Sequence, residues 1–592
     1  MQLNPWALTA VVLVAVPAYY LGSRASRFAS STQDFLVARR TVRSRRNAAA
    51  ISGEFLSAAS FLGVAGIVLK EGADGLWYPI GFTAGYLALM LFVAAPLRRS
   101  GAYTVPDFLQ ARLGSVVLRR FATTFMVCIG VLYLVPQLQG AGLVVSTVLP
   151  VPVWVGAAGM TVLVAVNVIG GGMRAITLVQ AFQYWVKLFA IAVPAFALCV
   201  VFLSTGRPGP AGALDSPAPP VFAEETTVDL QTDVTLRVTT LTPVWVQEPG
   251  AKTEHLEAWA AGTTTHLHRG ARLTFSAGTP APVADGPANN TDWLRPGSGG
   301  LPDMLRTYSL IMALVFGTMG LPHVLVRYYT NPDGKAARRT TAHVLLLLGL
   351  FYLFPIVLGA MARMYVPRLL VTNQTDAALV WLPTTMLPGL AGQLVGAVIM
   401  AGVFSALVST SSGLLVGVAG LLSTEVFRGR TSHFRTAAAV AALMAVAIAM
   451  VLRPTDLATS VGISFALAAS TFSPLLVLGV WWRGLTWPGA LAGMVIGGGL
   501  VIVALCSYAL NGYGGRHLSW FTVQPALITV PIAFVVTILV SLATRGGRPA
   551  DVNAFMLRLH APDPLGFTRD RTPARFGQVA GRPRAGRGRH RK

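Results

Sequence analysis

The sequence predicts an all-α polytopic membrane protein with about 13 transmembrane helices, and three observations carry that. Of 592 residues, 54% are apolar and 12% charged, against roughly 45–50% and about 25% in soluble domains. Apolar windows of about 20 residues, enough to cross a bilayer, recur at 5–22, 47–69, 76–96, 118–148, 152–170, 177–204, 304–328, 341–365, 390–424, 434–452, 456–482, 487–511 and 519–543. Finally, the cations between these windows gather on one side once the spans are drawn, as the positive-inside rule requires.

The first window, Trp6–Leu21, has no cationic run before it and is followed by Arg24 and Arg27, so it reads as a retained span rather than a cleaved signal. An odd number of spans puts the termini on opposite faces. With the N-terminus outside, the cytoplasmic short loops hold 21 Lys and Arg and the external ones five; the tail adds twelve against three acids. The expected setting is therefore the plasma (cytoplasmic) membrane, with a cytoplasmic C-terminus. Thirty-three of the 46 cations lie on that side, so the formal charge of +23 records orientation. The expected surroundings are lipid bilayer, and no nucleic acid.

Residues 1–46 form a first span and basic cytoplasmic loop, and 47–203 hold five spans. Residues 204–303 are Pro- and Thr-rich with an alternating TTVDLQTDVTLRVTT run, which reads as a small external β-rich insert or a partly ordered loop. Five further spans fill 304–482, two peripheral spans fill 483–543, and 544–592 make a basic cytoplasmic tail ending PRAGRGRHRK. Disorder is the expectation for that tail, solvated or lying on anionic lipid. Cys128, Cys199 and Cys506 sit in apolar runs without paired spacing, as helix-packing residues do. No Ser/His/Asp arrangement, metal cluster or phosphate loop is visible, so an enzyme is not expected. A fused sensor would need a signalling domain, and the 49-residue tail has no room for a kinase core. A channel with the same spans would differ from a carrier in lacking saturable, gradient-coupled uptake.

Three windows depart from plain hydrophobic helices. The second reads NAAAISGEFLSAASFLGVAGIVLKEG, with Gly53, Gly63, Gly66, Ser52, Ser57, Ser60 and the acid Glu54. Small residues serve close helix packing. An intramembrane acid is costly, and Glu54 belongs either to a functional pathway or to a structural network near the cytoplasmic end. In the seventh, Gly317, Gly320 and Pro322 interrupt helical hydrogen bonding at depth, which is tolerated only beside protein or a water-lined cavity. Paired discontinuous helices mark transporter binding sites, and five spans counted from each interrupted window make two halves of inverted topology. The ninth holds Ser409, Thr410, Ser411 and Ser412 in a row. These hydroxyls either back-bond to their own helix or, at Ser409 and Thr410, supply oxygens to a sodium ion. His323 and Arg327 read as helix-end packing and orientation residues, and Tyr103, Asp107 and Arg112 as caps of a short helix.

The stretches GEFLSAASFLGVAGIVLKEGADGLWYPIGF, GGMRAITLVQAFQYWVK, FGTMGLPHVLVRYYTNPDGKAARRT and VGISFALAASTFSPLLVLGVWWRGLTWPGALAGM resemble the solute:sodium symporter family, in particular its acetate permease (cation/acetate symporter) branch. The likeness runs through all the spans and omits the insert and tail. It implies a LeuT-type five-plus-five inverted-repeat core, and symport of a small monocarboxylate with sodium by alternating access. Carried over by motif, the sodium ligands would be the carbonyls of Gly53, Leu56 and Ala406 and the hydroxyls of Ser409 and Thr410. The acetate permease lacks hydroxyls at the last two positions, whereas sugar and proline members carry them, which favours sodium over protons as coupling ion. Ser57, Ser60, Gly317 and Thr318 are candidates to bind the carboxylate, and Trp77 and Tyr78 to gate or line the site.

Overall fold

The computed structural model describes residues 5–26, 40–148, 151–170, 173–205, 214, 217–251, 253–297, 300–425, 431–451, 457–512 and 520–566. Each of the expected windows falls on a helix or a broken helix. In chain order these are α1 (Pro5–Ser26), α2 (Ser44–Phe55), α3 (Val64–Glu71), α4 (Trp77–Phe92), α5 (Ala94–Arg99), α6 (Val105–Leu113), α7 (Val116–Val148), α8 (Val153–Gly170) and α9 (Met173–Thr205). After the insert follow α10 (Leu301–Gly320), α11 (Pro322–Tyr328), α12 (Gly334–Tyr365), α13 (Ala378–Met386), α14 (Leu390–Glu425), α15 (Thr431–Val451), α16 (Leu457–Trp481), α17 (Trp487–Gly512), α18 (Ala526–Ala543) and α19 (Val552–His560). Among the described residues, nine helical stretches are long and apolar enough to cross a membrane. The pair α10 and α11, bent by 44°, makes a tenth.

Both expected interruptions exist, with different local causes. In the second window the chain leaves helical geometry at Leu56 (ψ 82°) and resumes through a π-helical turn over Ala59–Gly63. None of its glycines makes the break. Gly53 and Gly66 instead lie where a Cβ would collide with the backbone of Gln180 and of Thr375, so they serve close packing. In the seventh window the break falls at Leu321 (ψ 121°), just before Pro322, whose missing N–H and ring prevent a continuous helix.

The two broken helices occupy the middle of the bundle. α2 packs on α9, α12 and α14; α10 packs on α16 and α4; α7 closes against α14 and α16, and α1 lies outside against α9 and α14. The outward faces are apolar, with Phe189, Phe196, Val200, Leu346 and Leu443 all exposed, as lipid-facing surface requires. Cys128 and Cys506 also face outward, so these two do not pack between helices as expected.

The insert is β-rich. Strands β1 (Thr226–Asp229), β2 (Val234–Arg237), β3 (Thr242–Gln247), β4 (His255–Trp259), β5 (Thr264–Leu267) and β6 (Arg272–Phe275) form an antiparallel β1-β6-β3-β4 sheet and a β2-β5 pair. Their inner face buries Val228, Leu236, Val244, Val246, Leu273 and Phe275. The segment after β6 docks on the ends of α3 and α12. The indole of Trp293 donates to the carbonyls of Val68 (2.9 Å) and Leu69 (3.1 Å) and presses on Gly72, whose φ of +62° suits glycine. Lys70 pairs with Asp285 at 2.7 Å, and Arg363 reaches Asn290 and the Pro287 carbonyl.

At the opposite end of α12, part of the tail is ordered, which corrects the expectation of disorder up to residue 566. Val552, Phe555, Met556 and Leu559 give α19 an apolar face that is buried. Asp563 binds Arg99 at 3.0 Å and caps the amides of Gly334 and Lys335. The arginine-rich end of the tail lies outside the described residues. At the same end Thr104 caps α6 by accepting from the Asp107 amide (3.2 Å), and Arg112 ties α6 to the carbonyls of Gly479 and Trp482.

Candidate functional site

Gly53 and Leu56 end α2 with carbonyls that its helix cannot pair, because the chain turns away at Leu56. Absence of a Cβ at Gly53 lets α2 lie directly on α9 beside Gln180 and Tyr184. From the other side α14 brings Ser409, whose hydroxyl lies 2.7 Å from the Gly53 carbonyl and 3.2 Å from that of Ala406. Thr410 donates instead to the Glu54 carbonyl at 2.6 Å. The residues expected to hold sodium are thus gathered between α2 and α14, all buried, with the Thr410 hydroxyl turned toward Glu54.

The centre of that oxygen cage holds the Nζ of Lys187 from α9. It donates to the carbonyls of Gly53 and Leu56 (2.7 Å for the latter) and to the Ser409 hydroxyl. These three acceptors match the three N–H bonds of an ammonium. Lys187 has no exposed surface.

One turn away lies a buried ion pair. Glu54, expected near the cytoplasmic end, is the penultimate residue of α2 and sits at the break, paired with Arg327 Nε of α11 at 2.7 Å. Arg327 is 1% exposed, so it is no surface orientation residue. Its other nitrogens donate to Thr177 (2.8 Å) and Gln180 of α9, and the Gln180 amide donates on to the Ser409 carbonyl at 3.0 Å. Thr177, Gln180 and Lys187 lie along one side of α9, so a single helix face supports both the ion pair and the cage.

On the α3 side of the break aromatic, hydroxyl and amide side chains gather in one buried cluster. The Phe55 ring packs edge-on against Phe82 (5.5 Å), Tyr86 (4.8 Å) and Phe465 (6.2 Å); Tyr133 bridges Phe465 to His323. Ser57 and Ser60 are buried here, and the Ser60 hydroxyl is 3.1 Å from that of Tyr352. Gln137 of α7 accepts from the Ala58 amide at 3.2 Å, while its Nε2 is buried with no protein partner. Such a donor calls for an acceptor.

The other expected substrate residues stand at helix contacts around this cluster or at its outer end. Gly317 lies against the backbone of Phe465 on α16, and Thr318 faces Gly85 of α4 with its hydroxyl satisfied by the Leu314 carbonyl at 2.8 Å. Both are helix-contact positions, which small residues favour. Trp77 is half-buried at the start of α4, and its neighbour Tyr78 is the one that approaches Phe82, at 6.4 Å. Sequence reasoning missed Lys187, Gln180, Gln137 and Tyr352. The signal for Lys187 was present: it is a lone cation in the middle of the 177–204 window, and intramembrane cations mark function or need partners.

The model of the Sodium:solute symporter family matches residues 35–216 and 281–497; the chain belongs to that family of multi-pass membrane transporters. It is 29% identical to an uncharacterized symporter of Cupriavidus necator, over 88% of this chain and 89% of the relative. It is 28% identical to a monocarboxylic acid transporter of Corynebacterium glutamicum, over 86% of each. Among solved structures, an outward-open, substrate-bound Na+-coupled sialic acid symporter superposes with a TM-score of 0.59 at 13% identity, covering 90% of this chain and 98% of that one. The fold is that of LeuT-type transporters.

Proposed function

We propose that this protein is a secondary active symporter that takes up a small monocarboxylate, acetate or a close homologue, together with a cation by alternating access. The observation that carries it is the buried cluster at the first helix break, where the hydroxyls of Ser57 and Ser60 and the amide of Gln137 lie among aromatic rings and the Gln137 Nε2 has no protein partner. A carboxylate needs donors, and a short alkyl chain needs apolar walls of limited size. The monocarboxylic acid transporter among the relatives supports the substrate class. The cation count supports an external N-terminus and a cytoplasmic tail.

In this reading the broken helices α2–α3 and α10–α11 form the moving centre, and cation and substrate each raise the other's affinity by the same factor. Sodium is the ion that the family name implies, with Gly53, Leu56, Ala406, Ser409 and Thr410 as its expected ligands. A proton is the second reading, favoured by the ammonium that stands among those oxygens.

Purified protein in proteoliposomes is expected to accumulate radiolabelled acetate, propionate or pyruvate under an imposed sodium or proton gradient. Failure of both gradients to drive any of the three would overturn the proposal. Gln137→Ala is expected to weaken half-saturation by roughly tenfold to a hundredfold, since a hydrogen bond to a charged group contributes about 1.5–3 kcal/mol. Unchanged concentration dependence would remove Gln137 from the substrate site.

A further inference from the structure

We propose that Lys187 is a built-in cation of the cage between α2, α9 and α14, and that its ammonium takes the place of a sodium ion there. The inference deepens the transport reading and rests on it for its functional meaning. Three oxygens expected to coordinate a metal, the carbonyls of Gly53 and Leu56 and the hydroxyl of Ser409, accept the three N–H bonds of one side chain. The fourth and fifth make no contact with the ammonium and are oriented within the protein. The Ala406 carbonyl is 3.2 Å from the Ser409 hydroxyl, and the Thr410 hydroxyl is turned to the Glu54 carbonyl at 2.6 Å.

The placement of charge favours a tethered cation over a structural ion pair. Among the described residues, no carboxylate stands within ion-pairing distance of Lys187. Glu54, the acid whose charge acts on it, is held by Arg327 at 2.7 Å. From α14 only hydroxyls and carbonyls face the ammonium. A lysine with no exposed surface is thus balanced almost wholly by carbonyl and hydroxyl dipoles, the donor set a hard monovalent cation uses. Like sodium, it joins the end of α2 to α14, but through a covalent stem on α9. A second cation in the same cage would meet the ammonium at contact distance and find its ligands taken. Lys187 is therefore the residue that sets this chain's ion specificity at the cage.

The test reads sodium binding by the full-length purified protein in detergent without substrate, by thermal unfolding in sodium chloride against choline chloride and by retention of radiolabelled sodium. The native protein is expected to show no sodium-specific shift that Ser409→Ala with Thr410→Ala removes. Lys187→Ala is expected to gain sodium affinity by about tenfold or more, and to lose the gain when Ser409→Ala is added. The proposal is overturned if the native protein has a sodium-specific shift that the Ser409/Thr410 double variant abolishes, or if folded, monodisperse Lys187→Ala gains none. If Lys187→Ala does not fold, the native protein and the hydroxyl variants decide alone. These readings do not involve a carboxylate, so failure of every uptake assay would sink the transport reading and leave them standing.

Discussion

Glu54→Ala is expected to destabilise the protein by about 3–5 kcal/mol, because removing one partner of a buried ion pair leaves the other charge uncompensated. Arg327 would keep its hydrogen bonds to Thr177 and Gln180, but neither carries a negative charge. The guanidinium is 1% exposed, so water cannot replace the carboxylate without opening the contact between α2, α9 and α11. The double substitution Glu54→Leu with Arg327→Met is expected to recover most of that loss, since well-packed apolar groups can replace a buried pair at little cost. Melting temperatures of the two single variants and the double variant form a cycle that isolates the pair. Additive single effects, with no recovery in the double variant, would show that the two side chains act independently. If the pair also links the two broken helices during transport, the stable double variant will remain impaired in uptake.

Gly53→Ala is expected to cost at least the upper part of the 1–3 kcal/mol range typical of an overpacked core. The added methyl would meet the backbone carbonyl of Gln180 and the Cβ of Tyr184 on α9, and neither a backbone atom nor a Cβ can rotate aside. Separating α2 from α9 also draws the Gly53 carbonyl from Lys187 and moves Glu54 relative to the Arg327 that Thr177 and Gln180 of α9 hold. A single methyl therefore disturbs both the cage and the ion pair. Gly159→Ala and Gly349→Ala are the matched controls, since a Cβ at either position meets nothing within 4 Å. Each is expected to be neutral or stabilising by up to about 1 kcal/mol, from the helical preference of alanine over glycine. Equal melting temperatures for Gly53→Ala and these controls would refute the close-packing account.

Parts of the site were legible in the linear chain. Gly53, Leu56, Ala406, Ser409 and Thr410 come together although about 350 residues separate the two groups. Ser57 and Ser60 do stand at the first break. Gly317 and Thr318, expected beside the substrate, lie at helix contacts, and a small residue in a membrane helix serves packing or function equally well. For Gly317 the contact is with the backbone of Phe465, and for Thr318 it is with Gly85.

By itself, the sequence determined where the helices run, that two of them are broken, and which loops carry the cations. These follow from local composition: an apolar run long enough for the bilayer, a proline that cannot donate, and charges that stay out of lipid. The tertiary structure alone decided that Lys187 fills the cage, that Arg327 holds Glu54, and that Gln137 meets the first break. Each is a contact between helices 79–273 positions apart in the chain. Helices apolar on every side carry no periodic signal of which face turns inward. Lipid rewards burial on neither face, so the partner of each intramembrane polar group is set by packing between helices.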